Sequence, residues 1–139
     1  MSSLFLIATI AGRPVAIESG QVESVVDIGT IVPVPRAVAQ VRGLAALRSR
    51  VVTVIDAHVA LGLTAPSRPA GRAVITVVEG QHYAVLVDSL EDVEPFDLVP
   101  LAAGIALEGG WRAAGCGIVA RDGKPILALN LRALLPVSA

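Results

Sequence analysis

Short apolar runs rich in Val, Ile and Leu recur between turn residues, at 4–10, 15–18, 22–28, 51–56, 73–78, 83–88, 117–120 and 126–129, and 43–47 reads as a further strand. Runs of this length and spacing predict an all-β protein of small strands. Three breaks carry hairpin chemistry: Ala11-Gly12, Glu79-Gly80 and Asp122-Gly123 each offer Gly where a tight turn needs positive φ. Helical pattern is confined to 36–41, 57–61 and 131–135, and none of these segments is long enough to organise a fold.

Compared with itself, the chain shows a duplication. At an offset of 68 residues Ile7 meets Ile75, Gly12 meets Gly80, Glu23 meets Glu91 and Val25 meets Val93. At an offset of 74, Gly43 meets Gly117, Arg50 meets Lys124, Ile55 meets Leu129 and Leu61 meets Leu135. The growth of the offset by six marks an insertion within 94–115. The segment 64–71, Thr-Ala-Pro-Ser-Arg-Pro-Ala-Gly, has the composition of a linker between pseudo-repeat subdomains at about 4–63 and 72–135 of a single domain. Units of about 60 residues bury too little surface to stand alone, so the two are expected to share an interface. Closure is the simplest protection of strand edges, and the expected architecture is two small five-stranded barrels side by side, with short helices at the unit ends. The groove between them is the natural recognition surface.

The composition narrows the function. Hydrophobic residues make up 54% of the 139 residues, while Trp and Tyr occur once each and Phe twice, so the core is aliphatic and no aromatic platform for stacked bases can form. Eleven Lys and Arg against twelve Asp and Glu leave a formal charge of −1 without blocks of either sign, which removes an electrostatic footprint for nucleic acid or anionic lipid. No basic residue precedes the first apolar run, and the longest uncharged apolar stretch, 98–107, is far short of a membrane span. The chain therefore reads as cytoplasmic, and the single Cys116 agrees with a reducing compartment.

Catalytic signatures are absent: the sequence has no G-x-S-x-G, Walker glycine loop, H-E-x-x-H or G-x-G-x-x-G. His58 and His82 have no second His or Cys at ligand spacing, so no metal is expected. His82 is read as a solvent-facing strand residue and His58 as part of a short surface helix. Cys116, between two glycines, is a small residue at a strand start, since neither a helix N-terminus nor a nearby cation is predicted to activate it. Carboxylates such as Asp56 and Asp88 at strand ends are read as solvated or capping. No catalytic residue, cofactor site or enzyme activity follows.

Segments 41–56 (VRGLAALRSRVVTVID), Leu61-Gly62-Leu63, 84–93 (AVLVDSLEDV) and 115–135 resemble the CheW-like chemotaxis coupling proteins, and the similarity runs from about Phe5 to Leu135. Within it Ala46-Leu47-Arg48-Ser49 stands where the family reads close to N-L-R-G, and Val22-Glu23-Ser24-Val25 puts Ser24 where the family carries Glu. The resemblance implies two packed SH3-like barrels and a non-enzymatic adaptor, without cofactor. Its partners would be the cytoplasmic tip of a methyl-accepting chemoreceptor and the regulatory domain of a CheA-type histidine kinase, in a cytoplasmic protein recruited to membrane-associated receptor arrays without inserting into the membrane. By the same resemblance the receptor groove would comprise Val22, Ser24, Gly43, Arg48, Val85 and Val87, and the kinase contacts Ile31, Val34, Leu98, Leu101 and Leu107. Arg48, at the end of the 43–47 strand, is expected to project past the rim toward that groove. The departures at Ser24 and Ser49 motivate an alternative, a divergent CheW-like regulator that competes with or restrains array assembly or serves a kinase outside motility.

Overall fold

The structure, a computed structural model, describes residues 2–63, 71–101, 107 and 109–136; residues 64–70 of the proposed linker at 64–71 and residues 102–106 of the apolar stretch lie outside them. Among the described residues the strands are β1 (Ser3–Ile10), β2 (Arg13–Glu18), β3 (Ser24–Asp27), β4 (Val41–Leu47), β5 (Arg50–Asp56), β6 (Arg72–Val78), β7 (Gln81–Val87), β8 (Ser89–Phe96), β9 (Gly115–Arg121) and β10 (Lys124–Leu129). Two short α-helices, α1 (Ala57–Ala60) and α2 (Gly109–Ala114), and 3-10 turns at Ser19–Gln21 and Leu131–Leu134 complete the chain.

The three glycine turns form as their chemistry dictates. Ala11 and Gly12, Glu79 and Gly80, and Asp122 and Gly123 all have positive φ, joining β1 to β2, β6 to β7 and β9 to β10. A fourth hairpin joins β4 to β5 through Arg48-Ser49, with Arg48 at φ +57°. The strands assemble in the orders β8-β1-β2-β10-β9 and β3-β6-β7-β5-β4. The β2–β10 and β5–β7 pairs are parallel, so both sheets are mixed. Each sheet takes a hairpin from one half of the sequence and three strands from the other, and strands five apart in chain order hold the same rank in the two sheets.

Strict alternation of side chains gives each sheet two buried faces. Leu6, Ala8, Ile10, Val15 and Ile17 of the first sheet meet Val74, Tyr83, Val85 and Val87 of the second in one central core, closed by Trp111, Leu131 and Leu134. The opposite faces hold smaller clusters, Phe5, Ile7, Ala16 and Ile126 on the first sheet and Val52, Val54, Ile75 and Leu86 on the second.

The expected closed SH3-like barrels are not formed. Both sheets are open: no strand ladder joins β8 to β9 or β3 to β4. Among the described residues the backbone pairing across each seam is a single isolated bridge, Val32 with Leu44 and Val99 with Ile118. Proline keeps each bridge from lengthening into a ladder. Pro33 directly follows the bridged Val32 and Pro100 the bridged Val99, and a residue without an N–H cannot donate the next ladder bond. The edges are protected instead by these irregular straps and, on β8, by Glu91, Asp92 and Glu94. Residues 36–40 form turns rather than a helix, and Val41 opens β4.

Gly43 and Gly117 have the same task beneath the straps. A Cβ on Gly43 would lie 2.1 Å from the Val32 carbonyl oxygen, and one on Gly117 would lie 2.8 Å from that of Val99. Only glycine lets the strap backbone lie this close to β4 and β9.

Candidate functional site

The open seam of the second sheet leaves a groove of about 620 Å³ between β3 and the β4–β5 hairpin. Residues 23–27 form one wall and 47–50 the other, over a floor of Val52, Ile75 and His82. Because β3 pairs only with β6, its other edge is open toward this space. Arg48 sits exposed at the hairpin tip, and among the described residues it makes no ion pair. A non-glycine residue at its left-handed φ costs about 1–3 kcal/mol, which the ladder on either side of the turn offsets.

Two residues of the expected receptor groove, Ser24 and Arg48, line this one surface. The other four lie elsewhere. Val22 is half-buried against the central core. Gly43 is buried beneath the Val32 strap. Val85 and Val87 are fully buried between the sheets, each with 0% of its surface exposed, so they offer a partner no area; alternation along β7 turns both inward. The space between the sheets, where the sequence suggested a groove, is filled by the central core. Of the expected kinase contacts, Val34 and Leu98 are exposed, Ile31 is half-buried against the second sheet's outer cluster, Leu101 is half-buried, and Leu107 packs partly buried on the central core.

The groove also gathers groups that the sequence left apart. His82, far from fully solvated, has 15% of its side chain exposed, and its Nε2 lies 3.1 Å from Glu23 Oε2 and in contact with Arg50 Nη1. Asp27 is tied to Arg72 at 3.2 Å. The one signal available in sequence was the offset that aligns Glu23 with Glu91 and Arg50 with Lys124, which marks both as elements of a repeated seam. The equivalent seam of the first sheet is occupied: Arg121, aligned with Leu47, reaches Glu91 at 3.4 Å and Glu94 at 3.0 Å. Leu47 cannot make that crossing, and the second seam stays open.

A separate polar cluster ties the sheets together. Asp56, only 2% exposed, accepts from Arg42 Nε at 3.0 Å and caps α1 by accepting from the Val59 N–H at 3.2 Å. His58 stands between Asp56 and Asp88, at 3.8 and 3.4 Å, and Asp88 accepts from the Gly12 N–H of the first sheet at 3.1 Å. These carboxylates cap and pair rather than act on a ligand. Cys116 Sγ donates to the Ala128 carbonyl at 3.5 Å. Although the residue is exposed overall, partial desolvation of the thiol, with the Glu18 carboxylate adding to it, pushes it above its ordinary pKa, the opposite of activation. Among the described residues no group of three or more His, Cys, Asp or Glu is placed to hold a metal, and no helix is long and apolar enough to cross a membrane.

Two open sheets on one shared core, each seam crossed by a strap over a glycine, define a class of β domain, and sequence comparison assigns it. Residues 4–138 match the CheW-like domain family, and the chain belongs to that family. It is accordingly a non-enzymatic CheW-like adaptor of chemotaxis signalling. Among solved structures it is similar to the scaffolding protein TtCheW from Thermoanaerobacter tengcongensis, with a TM-score of 0.82 and 24% identity over 99% of this chain and 94% of that one. At that identity the likeness establishes the shared fold. Comparison with curated proteins gives no match.

Proposed function

We propose that this CheW-like domain joins the cytoplasmic tip of a chemoreceptor to the regulatory domain of a CheA-type kinase, as a cytoplasmic protein recruited to receptor arrays. The receptor tip is received at the open seam of the second sheet, where Arg48 and Ser24 face the same groove. The exposed strap residues Val34 and Leu98, with Ile31 and Leu101 beside them, serve the kinase. Leu107 is assigned to packing because it lies against the central core.

The observation that carries the reading is an exposed arginine at a hairpin tip, on an open groove, with no carboxylate of its own among the described residues. An arginine so held is available to a carboxylate of the partner. If that pair is buried on binding, Arg48→Glu is expected to cost about 2–5 kcal/mol of affinity, more than a tenfold loss, with the fold intact because no core group is removed. Calorimetry of wild type and Arg48→Glu against the receptor tip and the kinase regulatory domain of the same organism measures this. Unchanged binding to both would end the assignment of Arg48. A chain that binds one partner but never bridges the two would instead be a regulator that restrains array assembly.

A further inference from the structure

We propose that the open edge of β3 is a strand-addition site: an extended peptide segment in which apolar and acidic residues alternate enters the groove as a further strand of the second sheet. This goes beyond the reception of a receptor tip, because it gives the groove a ligand recognised through its backbone.

The ladder between β3 and β6 decides which backbone groups face the groove. The Ile28 N–H donates to the Gly71 carbonyl at 2.6 Å, and in an antiparallel ladder such bonded pairs recur at every second residue. The register sets Val26 opposite Ala73 and Ser24 opposite Ile75, so these two residues turn their N–H and C=O groups to β6. The Glu23 N–H also turns there, donating to the Ile75 carbonyl at 2.8 Å. The N–H and C=O of Val25 and Asp27 point the other way, into the groove, and among the described residues they have no partner. Two donors and two acceptors, repeating about every 7 Å along the strand, are satisfied by an extended chain. A helix cannot satisfy them, because its backbone bonds are internal.

The walls decide what can enter. Across the groove stands the hairpin tip, residues 47–50, which bars a second sheet from meeting β3 edge to edge, whereas a single strand needs only about 5 Å on that side. The floor is apolar: Leu47, Val52 and Ile75 belong to the second sheet's outer cluster, on which Val26 also packs. Alternate side chains of an added strand would meet this floor, and those between them would face outward. There Arg48 makes no ion pair among the described residues, while both carboxylates of the β3 wall are engaged, Asp27 by Arg72 at 3.2 Å and Glu23 by His82 at 3.1 Å. The arrangement selects apolar residues inward and acidic residues outward. The equivalent space of the first sheet is crossed by Arg121 and offers no such opening.

The test is an NMR titration of the full chain with a seven-residue peptide of alternating Glu and Val, blocked at both ends. Saturable binding with a Kd at or below about 1 mM is expected, with new exchange protection at the Val25 and Asp27 amides. N-methylation of one alternate set of peptide amides is expected to weaken binding about five- to a hundredfold, the worth of two hydrogen bonds, while methylation of the other set leaves it nearly unchanged. Val25→Pro removes a groove-facing N–H without touching the ladder, as an edge strand allows, and is expected to weaken binding about two- to tenfold. Arg48→Glu is expected to cost about two- to fivefold, one exposed ion pair. Absence of binding in the millimolar range, or binding indifferent to which set is methylated, overturns strand addition. Concentration-dependent protection of the Val25 and Asp27 amides in the free chain would give the edge to a second copy and overturn it as well. The receptor-tip reading is decided separately, by Arg48→Glu against that fragment.

Discussion

Replacing Gly43 by alanine tests how the strap is held. An added Cβ would sit 2.1 Å from the Val32 oxygen and 2.7 Å from its carbonyl carbon, where ordinary contact begins at 3.4 Å. Both neighbours are backbone, so relief requires strap and β4 to part by more than 1 Å, about the difference between those distances. Parting removes the reciprocal bonds between Val32 and Leu44, 2.8 Å from the Val32 N–H and 2.9 Å from the Leu44 N–H. At about 0.5–1.5 kcal/mol each, these contribute about 1–3 kcal/mol. The backbone at φ +147° adds about 1–3 kcal/mol for a non-glycine residue. Gly43→Ala is therefore expected to lose about 2–6 kcal/mol in urea denaturation, with a melting point lower by about 3 °C per kcal/mol, and to lose protection of the Val32 and Leu44 amides in hydrogen exchange. Gly12→Ala is the control: its φ is +74° but nothing lies within 4 Å of the new Cβ, so only the left-handed backbone is charged, about 1–2 kcal/mol. A Gly43→Ala loss no greater than that of Gly12→Ala would refute the steric account.

Three further outcomes are expected. A chain ending at Leu63 keeps β1–β5 but strips β1 and β2 of β8 and β10, and β3 and β5 of β6 and β7; it is expected to give the NMR spectrum of an unfolded chain while the full chain melts in one transition, and a dispersed spectrum would contradict the shared core. Leu107→Ser withdraws a partly buried side chain from the central core and is expected to lose about 1–2 kcal/mol, less than a fully buried leucine; an unchanged melting point would move Leu107 to a surface role. The Cys116 thiol, raised above its ordinary pKa by partial burial and Glu18, holds its proton more tightly in the folded state, so its small contribution to stability is present below the unfolded thiol pKa and fades as pH rises through the folded one. At neutral pH its alkylation is expected to be slower in the native protein than in urea, and equal rates would show that the burial has no effect on the thiol.

The strands and hairpins were legible because they rest on local chemistry: apolar alternation and three glycine turns mark the four strands of β1–β2 and β6–β7, and β9 with β10. What was not legible is what local chemistry hides. In β8 the sequence Ser-Leu-Glu-Asp-Val-Glu-Pro-Phe interrupts the apolar period with edge-protecting acids, and helix α2 is only six residues long. Barrel closure was inferred from edge hazard, but the prolines that keep each bridge from lengthening act through missing N–H groups rather than through hydropathy. Arg48 and Ser24 could be named together from family resemblance. Glu23, His82 and Arg50 could not, because they meet only after β3 is laid on β6 and β5 beside β7.

The two seams show how one sequence element decides where a site can exist. Both sheets share strand order, strap and glycine, so the two seams are built on the same backbone plan. In the first sheet Arg121 crosses to Glu91 and Glu94 with 25% of its side chain exposed, and a partner would have to displace those pairs before gaining any of its own. In the second, the aligned residue is Leu47, which packs on the outer cluster, while the cations Arg48 and Arg50 stand one and three positions later at the hairpin tip and strand start. The charge that closes one seam from within has been moved in the other to the hairpin tip and strand start, where among the described residues it pairs with no carboxylate. Since the glutamate is retained in both, as Glu91 and Glu23, the asymmetry lies in the placement of the cations. An open groove lined by cations on the second sheet therefore follows from the same duplication that built the fold.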